Sequence, residues 1–336
     1  MDLTTEWLGL TLTNPFVPSA SPLSKSLDTA KQLEDAGAAA IVMHSLYEEV
    51  VMAFDEGMTQ FLENQSAGHS EAQSYLPGRL EFPGELDRYL EQLSSLKSSL
   101  DIPIVASLNG VTPGGWIEHA KELQDAGADA LELNVYHVAA DIDESGAEVE
   151  ERYIGLLESL KDQISLPINM KLGPFFSSPG HLVKALDKAG AAGVALFNRL
   201  YQPDINIDSL RLVPALHPST SYEALLAVRW IAILYGRTDL SLSATGGVHS
   251  AEDAIKLLLA GADVVHLCSA LLLNGPRQLT HLMQGLEQWM EDQGFESVSD
   301  VRGRVSQLTV PDPSEFARAN YVKVLDSYRA GSGVWR

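Results

Sequence analysis

Residues 125–134 read DAGADALELN, and three other segments of the chain follow the same pattern. They are DAGAAAIVM at residues 35–43, KAGAAGVALFN at 188–198 and LAGADVVHLCS at 259–269. In each segment a helical stretch ends at a glycine suited to the left-handed position after a helix, and a short apolar run follows. The pattern predicts four joints at which a helix leads into a strand.

Further apolar runs lie between these joints, at residues 15–20, 104–108, 168–172 and 240–244. They bring the count to about eight strand–helix units, the number that closes a parallel barrel. An open doubly wound sheet is the alternative, but the first strand is followed by neither a Gly-x-Gly-x-x-Gly fingerprint nor a Walker A loop. We therefore predict an α/β fold of the (β/α)8 TIM barrel type.

Two segments are predicted to lie outside the strand–helix units. Residues 4–13 alternate like a small hairpin that plugs one end of the barrel, and residues 314–328 form an amphipathic helix packed on its outside. We predict one barrel domain over residues 1–310, capped by the hairpin within residues 1–14, and a helical tail over residues 311–336.

Composition restricts the possible partners and the compartment. The 336 residues carry 45 Asp and Glu against 23 Lys and Arg, a net charge of −22 that repels nucleic acids and anionic membranes. The single cysteine, Cys268, excludes an internal disulfide and a cluster ligated by this chain alone. No signal peptide or long apolar span is visible, so we expect a cytoplasmic protein without a membrane anchor.

Active sites of such barrels collect on the loops that follow the strands. Two of these loops are predicted to be long, over residues 47–83 and 199–222, and long loops on that face usually cover a site. Residues 243–250, SATGGVHS, follow the seventh strand and are typical of a phosphate cradle that Ser269 completes from the eighth. An ordinary glycine turn is the alternative.

Lys171 ends the fifth strand, where its side chain points into the barrel mouth. A buried ammonium needs an anionic partner, so it faces a negative ligand group, forms a Schiff base, or pairs with a carboxylate such as Glu132. Asn134 ends the fourth strand, and His137 lies three residues on, so an amide and an imidazole are predicted to share the mouth. His137 is therefore a candidate base, and a satisfied loop histidine is the alternative.

Other strand ends add polar groups, His44 beside Ser45 after the second strand and Asn198 after the sixth. The amide of Asn198 is suited to binding a polar heterocycle. No set of histidines and carboxylates shows metal-ligand spacing, and no Gly-x-Ser-x-Gly elbow is present, so we predict neither a metal nor a serine nucleophile.

These residues resemble the dihydroorotate dehydrogenase family, and they occur in that family's order over about residues 5 to 305. The matching motifs are NPFVPSA at 14–20, IV-x-HS at 41–45, ELN at 132–134, MKL at 170–172, Asn198 and TGG at 245–247. The resemblance implies an FMN-containing barrel that oxidises dihydroorotate to orotate in pyrimidine synthesis, most like the soluble class of the family.

The resemblance also implies roles for individual residues. Lys171 is expected to contact the N1/O2 side of the flavin, where it stabilises the charge left by reduction. The residues implied to bind FMN are Ser19, Ala20, Ser45, Asn134, Lys171, Asn198, Gly246, Gly247, Cys268 and Ser269. The residues implied to bind substrate are His44, Asn134 and Asn198, and those implied in catalysis are His137, Lys171 and Asn134.

The sequence departs from the family pattern at several substrate contacts. His137 stands at the base position in place of cysteine or serine, and Ala139 replaces the last amide of that loop. His44 replaces a lysine, and the substrate asparagine of the following loop has no secure match near Ala72. Residues 217–222, HPSTSY, replace a glycine-rich flavin segment. Each lost polar contact costs ~1–3 kcal/mol of binding, so the true substrate is left open between dihydroorotate and a related ring.

The leading hypothesis is a flavin-dependent dehydrogenase in which His137 removes a proton beside a carbonyl, hydride passes to flavin N5, and Lys171 steadies the reduced ring. An external acceptor that the sequence does not identify reoxidises the flavin. Two alternatives stay open, a Schiff-base aldolase or lyase that uses Lys171 and a non-catalytic FMN-binding partner subunit. By analogy with the family, we expect the chain to form homodimers.

Overall fold

The computed structural model describes residues 1–51, 84–110, 113–214 and 216–327. The strands are β1 (Thr5–Trp7), β2 (Leu10–Leu12), β3 (Phe16–Pro18), β4 (Ile41–Val42), β5 (Leu46–Tyr47), β6 (Ile104–Asn109), β7 (Ala130–Asn134), β8 (Ile168–Leu172), β9 (Gly193–Leu196), β10 (Asp204–Asn206), β11 (Arg211–Val213), β12 (Ser241–Thr245) and β13 (Val264–Leu267). The helices are α1 (Leu27–Asp35), α2 (Glu85–Ser99), α3 (Pro113–Asp125), α4 (Gly146–Lys161), α5 (Pro179–Lys188), α6 (Ala224–Leu234), α7 (Ala251–Ala260), α8 (Ser269–Asn274), α9 (Gln278–Gln293), α10 (Val298–Val301) and α11 (Ala319–Ser327).

Eight parallel strands form the barrel, in the spatial order β3-β13-β12-β9-β8-β7-β6-β4. The first and last strands of this series approach each other, since the Ala39 amide donates to the Phe16 carbonyl oxygen at 3.0 Å. The strands are buried on both faces because helices cover the outside and side chains fill the inside. The predicted (β/α)8 barrel is confirmed, and the open sheet is excluded.

The four predicted helix-to-strand joints are present. Their glycines, Gly37, Gly127, Gly190 and Gly261, all have positive φ, between +91° and +124°. At Gly261 a side chain is excluded by packing as well, because a Cβ atom there would lie 2.3 Å from the Tyr235 ring. The repeated Ala-Gly sequence therefore ends each helix and directs the chain into the next strand.

The hairpin of β1 and β2 closes the amino-terminal end of the barrel. Trp7 is fully buried inside, and its indole N–H donates to the Ser243 hydroxyl at 2.8 Å. The Leu8 amide donates to the Ser241 hydroxyl, at the start of β12, at 2.9 Å. Because the hairpin fills this end, the opposite, carboxyl end is left as the open mouth.

The carboxyl-terminal tail differs from the predicted single helix over 314–328. A short 3-10 turn spans Pro313–Phe316, and the chain leaves helical geometry at Ala317 (φ −112°, ψ −137°) before α11 begins. Phe316 packs against the core. The apolar side chains of α11 are more than half exposed rather than packed on the barrel: Tyr321, Val322, Val324 and Leu325.

The two long loops predicted on the mouth are only partly described. Part of the segment over residues 199–222 folds as an antiparallel hairpin of β10 and β11. Most of the other loop, residues 52–83 with the Ala72 region, lies outside the described residues. Within the described ranges, no helix has the length and apolar character needed to cross a bilayer.

Candidate functional site

One cavity of about 160 Å³ lies at the carboxyl ends of the barrel strands. It adjoins cavities of about 440 Å³ and 480 Å³ that share several of its lining residues. All ten residues that the family resemblance assigns to FMN line this single cavity: Ser19, Ala20, Ser45, Asn134, Lys171, Asn198, Gly246, Gly247, Cys268 and Ser269. The fold therefore brings together residues that are spread over 250 positions of sequence, although it does not by itself test their roles.

Lys171 lies in the cavity floor and forms a buried ion pair. Its Nζ donates to Oε1 of Glu132 at 3.1 Å, and both side chains are almost fully buried. Adjacent strands cause this contact, since β7 and β8 pair in register and both side chains point inward. The pairing with Glu132 foreseen from the sequence is present, and Lys171 nevertheless keeps a face on the cavity.

His266 lies beside this ion pair and was not singled out from the sequence. It is buried in β13, and its Nδ1 lies 3.8 Å from Oε2 of Glu132. Neither ring nitrogen has a hydrogen-bond partner within the described structure, and the Trp7 ring meets it edge to face at 5.5 Å. Burial lowers the pKa of His266 to about 4, against the opposing effect of Glu132. The imidazole is therefore neutral at pH 7, and the floor carries one anion and one cation.

Because the His266 ring is buried in its uncharged form, the stability of the fold should depend on pH. An unfolded histidine protonates near ~6.5, whereas folded His266 protonates near about 4, so the unfolded state binds more protons between these values. The free energy of unfolding that neutral His266 contributes is fully present above pH ~6.5. It declines as the pH falls through that window, by about 2 kcal/mol between pH 7 and 5. Denaturant titrations at both pH values should show that the free energy of unfolding falls less from pH 7 to pH 5 in His266→Gln than in the wild type. Equal losses would contradict this account of the buried ring.

Three asparagine side chains form the polar wall beside Lys171. Asn109 and Asn134 end the paired strands β6 and β7 at the same level. Asn198 Nδ2 donates to Asn134 Oδ1 at 2.7 Å, so this pair bridges the end of β8 from both sides. Amides supply both donors and acceptors, which suits a neutral heterocycle with alternating N–H and C=O groups. Asn109 was missed, although it ends its strand as Asn134 does.

The glycine segment after β12 lies against the loop that follows β9. Gly246 and Gly247 have φ of +93° and +76°, a conformation that other residues rarely adopt. A Cβ atom on Gly247 would lie 2.3 Å from the Ala224 backbone nitrogen. Across the cavity, the Ser269 hydroxyl accepts a hydrogen bond from the Ser219 amide at 3.1 Å. This concave stretch of backbone lets amides approach an anion closely.

The cavity is electrostatically unusual for so acidic a chain. Its lining residues include the cations Lys171 and Arg199, whereas no Asp or Glu is found among those that the structure describes. Arg199 is held at the rim by Glu223, with Nε 3.1 Å from Oε1, and its guanidinium lies over the Tyr201 ring at 5.7 Å. Both cations are paired with carboxylates, Glu132 and Glu223, that are not among the lining residues, so the charged groups that face the cavity itself are positive.

His137 does not share the mouth with Asn134, contrary to the sequence-based expectation. Its Nε2 lies 2.9 Å from Oε2 of Glu144, and the pair lines a separate surface pocket with Arg152. The hydrogen bond from His137 lowers the pKa of Glu144. The chain leaves the mouth after Tyr136 and turns outward to begin α4, and this turn carries the imidazole away from the cavity. Tyr136 lines the cavity in its place.

His44 borders the larger neighbouring cavity rather than the floor that contains Lys171. Its Nδ1 lies 3.2 Å from the Ser24 hydroxyl, and its ring packs on Tyr89 at 4.9 Å. Burial, assisted by the nearby Lys25, lowers the pKa of His44 to about 4. The ring is thus uncharged at neutral pH and does not supply the positive charge of the lysine that it replaces.

Comparisons with known proteins agree with the residue pattern. The sequence model described as dihydroorotate dehydrogenase matches residues 69–290. The catalytic subunit of dihydroorotate dehydrogenase B (NAD(+)) from Pyrococcus furiosus is 27% identical over 92% of this chain and 100% of its own length. The NAD-dependent dihydropyrimidine dehydrogenase subunit PreA of Escherichia coli is 26% identical over 92% of this chain and 78% of its own. A putative dihydroorotate dehydrogenase A (fumarate) from Aeropyrum pernix is 30% identical over 63% of this chain and 71% of its own.

Proposed function

Because the chain belongs to the dihydroorotate dehydrogenase family, we propose that its barrel mouth binds FMN and oxidises a dihydropyrimidine ring such as dihydroorotate. It is an oxidoreductase of the kind that acts on CH–CH groups. The observation that carries the proposal is the single cavity in which a buried lysine, three amides and a glycine-rich backbone segment meet.

The residues present fit both ends of FMN. The backbone amides at Gly246 and Gly247 and the hydroxyl of Ser269 would hold the phosphate, because glycine leaves room for an anion to approach. Lys171 would lie against the isoalloxazine at the other end. No carboxylate is found among the described lining residues, so none would contact the phosphate or the reduced ring directly.

Lys171 would stabilise the product of flavin reduction. Bound FMN supplies two-electron chemistry, and its reduction places negative charge on the N1–C2=O edge. Glu132 holds the ammonium in place through the 3.1 Å contact. A preorganised charge of this kind needs no rearrangement as the reaction proceeds.

The same ion pair argues against the Schiff-base alternative for Lys171. A lysine that attacks a carbonyl needs a free nitrogen lone pair, whereas the Lys171 nitrogen is engaged as a donor to Glu132 at 3.1 Å. The geometry therefore supports Lys171 as a fixed charge rather than as a nucleophile.

The choice of substrate depends on the asparagine wall and on His44. Asn109, Asn134 and Asn198 can bind the amide edges of a dihydropyrimidine ring whether or not it carries a carboxylate. Neutral His44 provides no charge for a carboxylate, whereas Arg199 at the rim could. Both dihydroorotate and an uncharged dihydropyrimidine are therefore compatible with the proposal.

Anaerobic titration of the purified protein loaded with FMN tests this function. We expect either dihydroorotate or dihydrouracil to bleach the visible flavin absorbance, and the compound that does so identifies the ring. Flavin that is bound but reduced by neither compound would contradict dehydrogenase activity on these rings and support a non-catalytic flavin-binding subunit. His137→Ala, in the same assay, tests the prediction that the imidazole is the base.

The electron acceptor is proposed to be another subunit or a soluble oxidant. Two of the relatives compared above are named as subunits of NAD-dependent enzymes. Cys268 is the only cysteine, so an iron–sulfur relay would have to come from a partner. The homodimer inferred from the family stays a prediction, to be checked by the molar mass in solution.

Substitution of Gly247 by alanine should weaken FMN binding. The left-handed backbone at this position disfavours a side chain by about 1 kcal/mol or more, and the new Cβ would displace the Ala224 backbone. We expect at least about a tenfold rise in the FMN dissociation constant, measured by flavin fluorescence. Gly155→Ala is the matched control, because its Cβ in helix α4 would meet nothing within 4 Å. Equal FMN affinity in both variants would contradict the assigned cradle.

A further inference from the structure

Tyr136 is the side chain of the loop after β7 that faces the mouth. It lines the cavity with Lys171 and Asn134, whereas the next residue, His137, is bound to Glu144 elsewhere. The Tyr136 hydroxyl oxygen accepts a hydrogen bond from the Tyr201 backbone amide at 3.1 Å. Tyr136, to which the hypothesis drawn from the sequence assigns no role, is therefore held in place at the mouth by this hydrogen bond.

This hydrogen bond forms a second bridge across the end of β8. Asn134 and Asn198 form the first, linking the ends of β7 and β9 on either side of Lys171. Tyr136 and Tyr201 lie two and three residues beyond those asparagines, and they link the same two loops one layer further out. A planar ring bound against Lys171 and the amides would have the Tyr136 hydroxyl at its edge or outer face.

The hydroxyl group has an unused hydrogen. Its oxygen accepts from the Tyr201 amide, and within the part of the chain that the structure describes, no acceptor for its own hydrogen is found. A phenol can donate this hydrogen to a ligand and, once deprotonated, can accept a proton back. The Tyr201 amide can donate to the oxygen whether or not the oxygen carries its hydrogen.

We propose that Tyr136, rather than His137, transfers the substrate proton in the flavin-linked reaction. The inference rests on the proposed function. In oxidation, solvent would first take the phenolic proton of Tyr136; the C–H bond beside the ring carbonyl would then break, its proton going to the Tyr136 oxygen, and hydride would leave the adjacent carbon for bound flavin as the C=C bond forms. In reduction, the phenol returns its proton to that carbon and hydride returns from the reduced flavin. Solvent exchanges the phenolic proton between turnovers.

Rapid-mixing measurement of flavin reduction tests the assignment, with whichever of dihydroorotate and dihydrouracil reduces the wild type. Tyr136→Phe should slow reduction by about 10²–10⁴-fold, the range that general acid–base residues contribute. The amount of bound FMN should be unchanged, and the affinity for the oxidised ring, read from the perturbed flavin spectrum, should fall by no more than about tenfold, since the substitution removes at most one hydrogen bond to the ligand. The exposed Tyr321→Phe should leave the reduction rate within about threefold of the wild type.

A stereochemical readout separates proton transfer from a structural role. When the photoreduced enzyme reduces orotate or uracil in D2O, the wild type should place deuterium at one face of the carbon beside the carbonyl. Tyr136→Phe should label both faces, because water then supplies the proton. An unchanged rate and unchanged stereochemistry in Tyr136→Phe, or a loss in His137→Gln as large as in Tyr136→Phe, would overturn the inference. A wild-type flavin that neither dihydro compound reduces would instead contradict the proposed function itself.

Discussion

Lys171→Met is expected to slow reduction of the bound flavin by about 10²–10³-fold, the usual effect of removing one preorganised charge from a reacting centre. The methionine side chain fills most of the space of the lysine but supplies no positive charge for the reduced ring. Because the same change leaves Glu132 buried without its partner at 3.1 Å, it should also lower the free energy of unfolding by about 3–5 kcal/mol. Rapid-mixing absorbance and denaturant titration measure the two effects separately.

The matched control for this prediction is Lys97→Met. Lys97 also pairs with a carboxylate, Asp129, at 2.6 Å, but it lies outside the mouth and is partly exposed to solvent. Lys97→Met should lower the free energy of unfolding by about 1 kcal/mol or less and leave the rate of flavin reduction unchanged. If Lys171→Met reduced its flavin as fast as Lys97→Met does, the ammonium would not act on the ring, and the proposed role of Lys171 would be wrong.

A double-mutant cycle on Glu132 and Lys171 should reveal a strong coupling between the two side chains. Glu132→Gln alone leaves a buried ammonium unpaired, and Lys171→Met alone leaves a buried carboxylate unpaired, so each should cost about 3–5 kcal/mol of stability. The double variant contains no buried charge at either position. The decrease in its free energy of unfolding should therefore be smaller than the sum of the decreases in the two single variants by at least about 2 kcal/mol.

Denaturant unfolding of the four proteins at pH 7 gives this coupling energy. The result depends on His266 remaining neutral, because a protonated imidazole 3.8 Å from Glu132 would itself partner the carboxylate. Burial lowers the pKa of His266 to about 4, so it is neutral at this pH. Additive single losses would show that the two groups do not form the ion pair seen in the barrel.

The fold was predictable because its signal repeats along the chain. Each Ala-Gly joint ends a helix locally, and Gly127 and Gly261 do adopt the left-handed conformation that the pattern requires. The tail was less predictable, since the break at Ala317 follows no glycine or proline signal within that helix. Local sequence gave no sign that the apolar face of α11 is left exposed.

The site was predictable where residues end strands. Asn134 and Lys171 project from positions that barrel geometry directs to the mouth, and both lie there. Two or three residues further on, the path of the loop decides the orientation, which is why His137 was expected at the mouth and Tyr136 was found there. His266 was missed because one polar residue in an apolar strand carries no local sign that it faces inward beside Glu132.

Binding of FMN is the central claim, and titration of flavin-free protein with FMN tests it most directly. Flavin fluorescence and visible absorbance should report saturable binding of one FMN per chain, and Lys171→Met should alter the spectrum of the bound flavin. Protein that stays colourless and leaves the fluorescence of added FMN unchanged would contradict the account.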